Sequence, residues 1–442
     1  MRKSVYELWF LSFFMATSYA CYIWLRVQHI LKISEPRIFY DTSEYFEVGS
    51  HSLTSSLFWI AKRPPLVPLF FKLLGMDPAR IVTVQLWISI LAWGILALVL
   101  VLVMHTFWLK PLTFMLILLF SLVQNVIMWD ALILGDSLAL SLLALFLASS
   151  LWLLAEWQTY RFILLVISSI LLALVRDTYA YFLLMAGAGL LTFIFFTRQR
   201  RRVLMVSGLF FSLFLAVNML AAMGMRWYLP LLMTVGLRIL PNPEYVAYFE
   251  AHGMPVSDLV MERAGKPIQA DNVALLYDPV LEKFRLWVKE NGRSEFIKFL
   301  WFFKADSLQN PIREVDLVFN PDVYYYAATG FRPILRDVRL NELLYPTRFG
   351  ILASFLANII AAIMLYPAFR YRNHLWTVPL MLILLSYPQA VLIWNADAND
   401  IARHSVYHVI MLRLGFWLLI LFGLDFFFAQ VKIYMNRKIY YA

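Results

Sequence analysis

Hydrophobic stretches close to twenty residues long, separated by short polar breaks, recur along this chain from almost its first residue. The clearest lie near 5 to 27, 80 to 104, 112 to 129, 137 to 155, 178 to 197, 203 to 223, 349 to 367, 376 to 394 and 406 to 428. A helix needs about 20 apolar residues to cross a hydrocarbon core about 30 Å thick, so each run predicts a membrane-spanning helix. A tenth run, FILLVISSILLALV at 162 to 175, is shorter and stops at Arg176 and Asp177. Those two charges then sit at the membrane edge.

Two long polar stretches interrupt the pattern, at 28 to 79 and 223 to 348. In the first, SEYFEVGSHSLTSSLFWIA and LVPLFFKLLG read as short interfacial helices, apolar on one side and too short to span. The step Lys62-Arg63-Pro64-Pro65 divides them, because prolines stop helices. In the second, DPVLEKFRLWVKENG and RSEFIKFLWFFKADS carry apolar residues at helical spacing, with turns predicted at HGMPVS and FNPD. The expected fold is an all-α polytopic membrane protein of about ten transmembrane helices. Residues 1–222 form a membrane module, 223–348 a mostly helical outer domain between spans seven and eight, and 349–442 the last membrane helices.

Composition strengthens this reading. Of 442 residues, 62% are hydrophobic and 15% charged, with a mean hydropathy of +0.70. A soluble domain has about 25% charged residues. The first apolar run begins like a signal peptide but continues too far for a signal core, so an uncleaved first helix is expected. The single Cys21 excludes an intrachain disulfide.

Charge then orients the chain. If the N-terminus is cytoplasmic, that side collects Arg2, Lys3, Lys110, Arg161, Arg198, Arg200–Arg202, Arg370, Arg372, Lys432, Arg437 and Lys438, with Glu156 as the one clear acid. Stretches 28–79 and 223–348, on the other side, balance acids against bases. The net charge of +10 is therefore a positive-inside signature and gives no reason to expect nucleic acid. Both termini are expected in the cytoplasm, and FYDTSEYFEVG on the outer face.

A charge at helix-centre depth costs about 2.5 to 3.5 kcal/mol on insertion scales, so those that persist usually pair or line a cavity. Asp41, Asp130, Asp136, Arg176, Asp177, Asp397, Asp400, Arg403 and His404 all fall at outer helix ends under this topology. Asp41 either caps a helix starting near Thr42, with Glu44 completing a capping box, or offers a free carboxylate. Asp130 and Asp136 either cap the fourth span or face a ligand. Arg403 and His404 open the last span, where backbone N–H groups also favour a phosphate, although Asp400 is spaced to pair with both. His404 and His408 with Asp397 or Asp400 make a weak metal set, without an HExxH spacing. Arg413, roughly 10 Å deeper at about 1.5 Å per residue, calls for an anionic partner from protein or ligand. No P-loop, GxSxG elbow or dinucleotide glycine pattern occurs.

The arrangement resembles the GT-C glycosyltransferase superfamily, polytopic enzymes that use polyprenyl-phosphate-linked sugars, such as protein mannosyltransferases and the aminoarabinose transferase. The likeness rests on YDTSEY in the first outer loop, the step KRPPL, WDALILGD at the fourth span, the large outer loop, and ARHSVY opening the last span. It implies Asp41 as general base, Arg403 with His404 against the donor phosphate, and Lys62 and Arg63 touching phosphate or acceptor. Asp130, Asp136 and Arg176 are further candidates for substrate contact. Many members carry two adjacent acids in this loop, whereas here Thr42 follows Asp41 and the next acid is Glu44.

The activity so implied is inverting sugar transfer from a polyprenyl-phosphate donor to a hydroxyl of an acceptor glycan, lipid or protein, with no obligatory cofactor and no metal site. Membrane lipids are the other expected partners, and a bacterial or archaeal plasma membrane the expected location. A transporter of a lipid or anionic solute, or a non-catalytic lipid-binding scaffold, would also place ionisable groups along a membrane cavity.

Overall fold

The computed structural model describes residues 5–441 apart from 34, 196, 198, 267–278, 336 and 366–373. Arg2, Lys3, Arg198, Arg370 and Arg372 of the charge argument lie outside the described residues, as does Asp278 of DPVLEKFRLWVKENG. Among the described residues there is no strand.

The chain opens with the long apolar helix α1 (Val5–Ile30). The first polar stretch folds into three short helices, α2 (Tyr40–Ser50), α3 (Ser56–Trp59) and α4 (Leu66–Leu73). Next come α5 (Pro78–Val103), α6 (Leu109–Phe120), α7 (Gln124–Ile127), α8 (Asp136–Ala155), α9 (Thr159–Val175), α10 (Asp177–Thr192) and α11 (Arg200–Met223). The second polar stretch holds α12 (Tyr228–Thr234), α13 (Pro243–Ala251), α14 (Asp258–Met261), α15 (Glu282–Trp287), α16 (Arg293–Phe302), α17 (Lys304–Arg313), α18 (Val315–Phe319) and α19 (Val338–Leu344). Helices α20 (Arg348–Leu365), α21 (Thr377–Ala396) and α22 (Ile401–Tyr441) complete the chain.

Six of these helices, α1, α5, α8, α11, α21 and α22, are long and apolar enough to cross a membrane. The protein is thus an integral membrane protein by length and composition of its helices. A seventh crossing is available if α6 and the segment Gln124–Ala131, bent by 61°, count as one broken span. Nine of the ten runs of the sequence each fall on one helix and the run 112 to 129 falls on the bent pair; α9 covers the whole of the run 162 to 175, while α10, at 16 residues, ends short of the span expected at 178 to 197. Arg176, in extended backbone, is the single residue between α9 and α10, so the charges that interrupt the apolar run also break the helix.

Local chemistry explains several boundaries. Asp77 caps α5 by accepting from the N–H groups of Ala79 and Arg80, with Pro78 in the first turn where no donor is needed. The Lys72 ammonium binds the carbonyls of Gly49 at 2.8 Å and His51 at 2.9 Å, neutralising the C-terminal end of α2.

The loop before α2 is pinned to the loop before α8. Arg37 exchanges backbone hydrogen bonds with Ala131 and Ile133, and the Thr42 hydroxyl donates to the Ile133 carbonyl at 2.7 Å. These bonds place α2 over the N-terminal end of α8.

The stretch 223–348 divides in two. Leu232, Val235, Phe249, Phe284, Val288 and Phe299 form a core of their own. Farther on, Val318 packs against Ala390, Ile393 and Ile401, while Tyr326, Phe331, Leu344 and Tyr345 join the core of the membrane bundle. Arg413 holds this return in place: its guanidinium donates to the carbonyls of Pro346 at 2.9 Å and Phe319 at 2.8 Å and stacks 4.4 Å from the Tyr345 ring. The anionic partner expected for Arg413 is therefore replaced by backbone carbonyls, one at the C-terminal end of α18 and one in the turn before α20, groups left without a helical partner that the protein itself satisfies.

Candidate functional site

At the end of the bundle where α8 and α22 begin and α9 breaks into α10, five segments bring acids and arginines together. Asp41 comes from α2, Arg63 from the proline step, Asp136 from the first residue of α8, Arg176 from the α9–α10 break, and Arg403 from the first turn of α22. Arg403 is the hub. It donates to Asp41 Oδ2 at 2.8 Å and to Asp136 Oδ2 at 2.8 Å, with Nε 3.3 Å from Asp136 Oδ1. Arg176 reaches Asp136 Oδ1 at 3.1 Å, and the Tyr407 hydroxyl donates to the same oxygen. Arg63 bridges Asp41 Oδ1 and Glu44 Oε2, both at 2.5 Å.

The chain of contacts runs Glu44, Arg63, Asp41, Arg403, Asp136, Arg176, so carboxylates and guanidinium groups alternate and balance. Burying such charges is tolerable only because each is paired and hydrogen-bonded. The two carboxylates on Arg403 differ in access: the Asp41 side chain is 21% exposed and that of Asp136 only 2%. Burial raises the Asp41 carboxyl, but Arg63 and Arg403 outweigh it and hold the group below its usual range. Asp41 is thus ionised at neutral pH and partly open to solvent.

Beside this line, Asp400 accepts the hydroxyl of Tyr325 at 3.1 Å and that of Tyr326, and lies 3.7 Å from Arg403. Its backbone takes a positive φ of 60°, closing the turn between α21 and α22. His404 lies 3.8 Å from Asp397. Burial, with Asp400 nearby, pushes the Asp397 carboxyl up to about 7, against the Asn399 backbone N–H that favours its charge.

Several sequence expectations change here. Asp41 is not a cap, since α2 starts at Tyr40 and Thr42 rather than a carboxylate closes its first turn. Asp136 does not cap α8 either, because Arg403, Arg176 and Tyr407 take its oxygens. Asp130 is drawn away from the cluster into a buried contact with Arg26 and the Ser137 hydroxyl. Lys62 is exposed while its neighbour Arg63 turns inward. Among the described residues no group of three His, Cys, Asp or Glu is arranged to hold a metal ion.

Tyr407 and Tyr326 were not among the candidates. Tyr407 stands one helical turn from Arg403, a spacing visible in the sequence, whereas Tyr326 reaches Asp400 only through a long-range contact. No protein-family model matches this chain, and neither a curated protein nor a solved structure matches it.

Proposed function

We propose that the protein is a membrane glycosyltransferase of the GT-C type, moving a sugar from a polyprenyl-phosphate donor to an acceptor hydroxyl on the extracytoplasmic face. The observation that carries this reading is Asp41, a partly exposed carboxylate held between Arg63 of the first loop and Arg403 of the last long helix. A lipid-linked donor keeps its tail in the bilayer and its phosphate at the interface, beside these two guanidinium groups. With α6 and α7 as one broken span and α9, α10 and α20 as short crossings, the chain passes the membrane ten times and both termini are cytoplasmic.

In this reading the donor phosphate competes with Asp41 for Arg63 and Arg403, freeing the carboxylate toward the acceptor. The acceptor oxygen attacks the anomeric carbon and its proton passes to Asp41. The bond from that carbon to the phosphate oxygen breaks, and its electron pair leaves on the lipid monophosphate, stabilised by the arginines. One displacement inverts the anomeric centre.

The test is transfer from labelled polyprenyl-phosphate sugar in membranes holding equal amounts of the intact chain or Asp41→Asn. Loss of a general base predicts a fall of about 10² to 10⁴. The balanced charge of the cluster favours a second reading, a non-catalytic scaffold whose ion pairs fasten the first loop to the last helix. Equal transfer by both chains removes Asp41 from the chemistry, whereas transfer by neither, at the level of membranes lacking the chain, leaves the scaffold reading standing.

A further inference from the structure

Helices α16 and α17 leave a row of large apolar side chains uncovered. Ile297 is 60% exposed, Trp301 77%, Leu308 50% and Ile312 57%. Residues four apart lie on one helix face, so Ile297 with Trp301 and Leu308 with Ile312 make a continuous stripe on each helix. On α17 this stripe lies beside, not on, the face where Pro311 is buried.

Lysines border both stripes: Lys298 follows Ile297, and the Lys304 ammonium sits 5.7 Å from the Trp301 ring. Between the α16 stripe and α13, an open groove of about 750 Å³ is lined by Tyr248, His252, Ile297, Trp301 and Phe302. Trp and Phe flanked by Lys are the side chains that settle at the boundary between headgroups and acyl chains.

What lies against this face follows from where α17 is fastened. The Tyr387 hydroxyl donates to the Leu308 carbonyl at 2.6 Å, and the Asn395 amide to the Ser307 carbonyl at 3.1 Å. Both donors belong to α21, a helix long and apolar enough to cross a membrane. Tyr387 stands about 14 Å from the Ala396 end of that helix at 1.5 Å per residue. The α17 stripe therefore continues the lipid-facing side of α21, where Leu384 is 62% exposed.

We propose that α16 and α17 form a monotopic anchor that lays the domain of residues 228–303 onto the bilayer, with Trp301, Leu308 and Ile312 at the acyl boundary. This holds whether or not the protein transfers sugars.

The experiment uses the full chain with Cys21→Ser, carrying single cysteines at Ile297, Trp301, Leu308 or Ile312, and at exposed Lys283 as the aqueous reference. Each is labelled with an environment-sensitive fluorophore and reconstituted in phosphatidylcholine and phosphatidylglycerol vesicles. Lipids brominated on the acyl chains should quench the label at Trp301, Leu308 and Ile312 and leave Lys283 bright, while aqueous iodide should do the reverse. Iodide quenching at the stripe equal to that at Lys283 overturns the anchor. Shielding from both quenchers overturns it as well, since protein then covers the face. Four surface positions on two helices keep the outcome independent of any one variant that fails to fold.

Discussion

Asp136→Asn separates the structural from the chemical part of the cluster. The substitution keeps the shape of the side chain but removes a charge that is 2% exposed and that holds Arg403, Arg176 and Tyr407 together. Removing one partner from a buried ion pair costs about 3 to 5 kcal/mol, because the surviving charges lose their compensation out of water. Asp41→Asn acts on the same Arg403, but at 21% exposure and with Asp136 still in place. Its expected cost is about 1 kcal/mol, near the value for solvent-screened pairs.

Thermal unfolding of the full chain in detergent should therefore show a large drop for Asp136→Asn and a small one for Asp41→Asn, while transfer activity falls with Asp41→Asn. The double variant Asp136→Asn with Arg176→Met should lose less than the sum of the single losses, since both remove the same contact. Equal destabilisation by Asp41→Asn and Asp136→Asn would refute the reasoning, because Asp41 would then be as structural as Asp136. So would an Asp136→Asn protein as stable as the intact chain.

Two other perturbations have worked directions. Asp397 titrates at about 7 in the folded chain against an ordinary value of 3.8, so between those values the folded state holds a proton that the unfolded state has lost. Stability is then full below pH 4, declines as pH rises to 7 and is level above it; the limit is about 4 kcal/mol at 1.36 kcal/mol per pH unit. Unfolding midpoints of Asp397→Asn across that range should lose this slope, and an unchanged slope would assign it to another group. Arg413→Met strips donors from the carbonyls of Pro346 and Phe319, at about 1 to 3 kcal/mol for each buried group left unpaired. It should lower the unfolding midpoint and expose the return of residues 315–345 to protease, whereas resistance equal to that of the intact chain would show that other contacts hold this segment.

The apolar runs alone determined that this chain is helical and belongs in a membrane, because hydrocarbon admits only segments that satisfy their own backbone over about 20 residues. The Lys62-Arg63-Pro64-Pro65 step and the Arg176-Asp177 break were legible for the same local reason: proline and paired charges interrupt helices wherever they fall. Spacing along the chain also put Asp400 within reach of Arg403. The sequence did not determine which acid serves which arginine. Asp130 and Asp136 stand in one short segment, yet one turns to Arg26 of α1 and the other to Arg403 of α22. Asp41 and Glu44 looked like a capping pair, and Arg63 drew both away from the helix end. Arg413 looked like a charge in search of an anion and found carbonyls from residues 319 and 346. Such pairings depend on the packing of distant helices, because a buried charge takes whatever partner the tertiary structure brings within about 3 Å, at any separation along the chain.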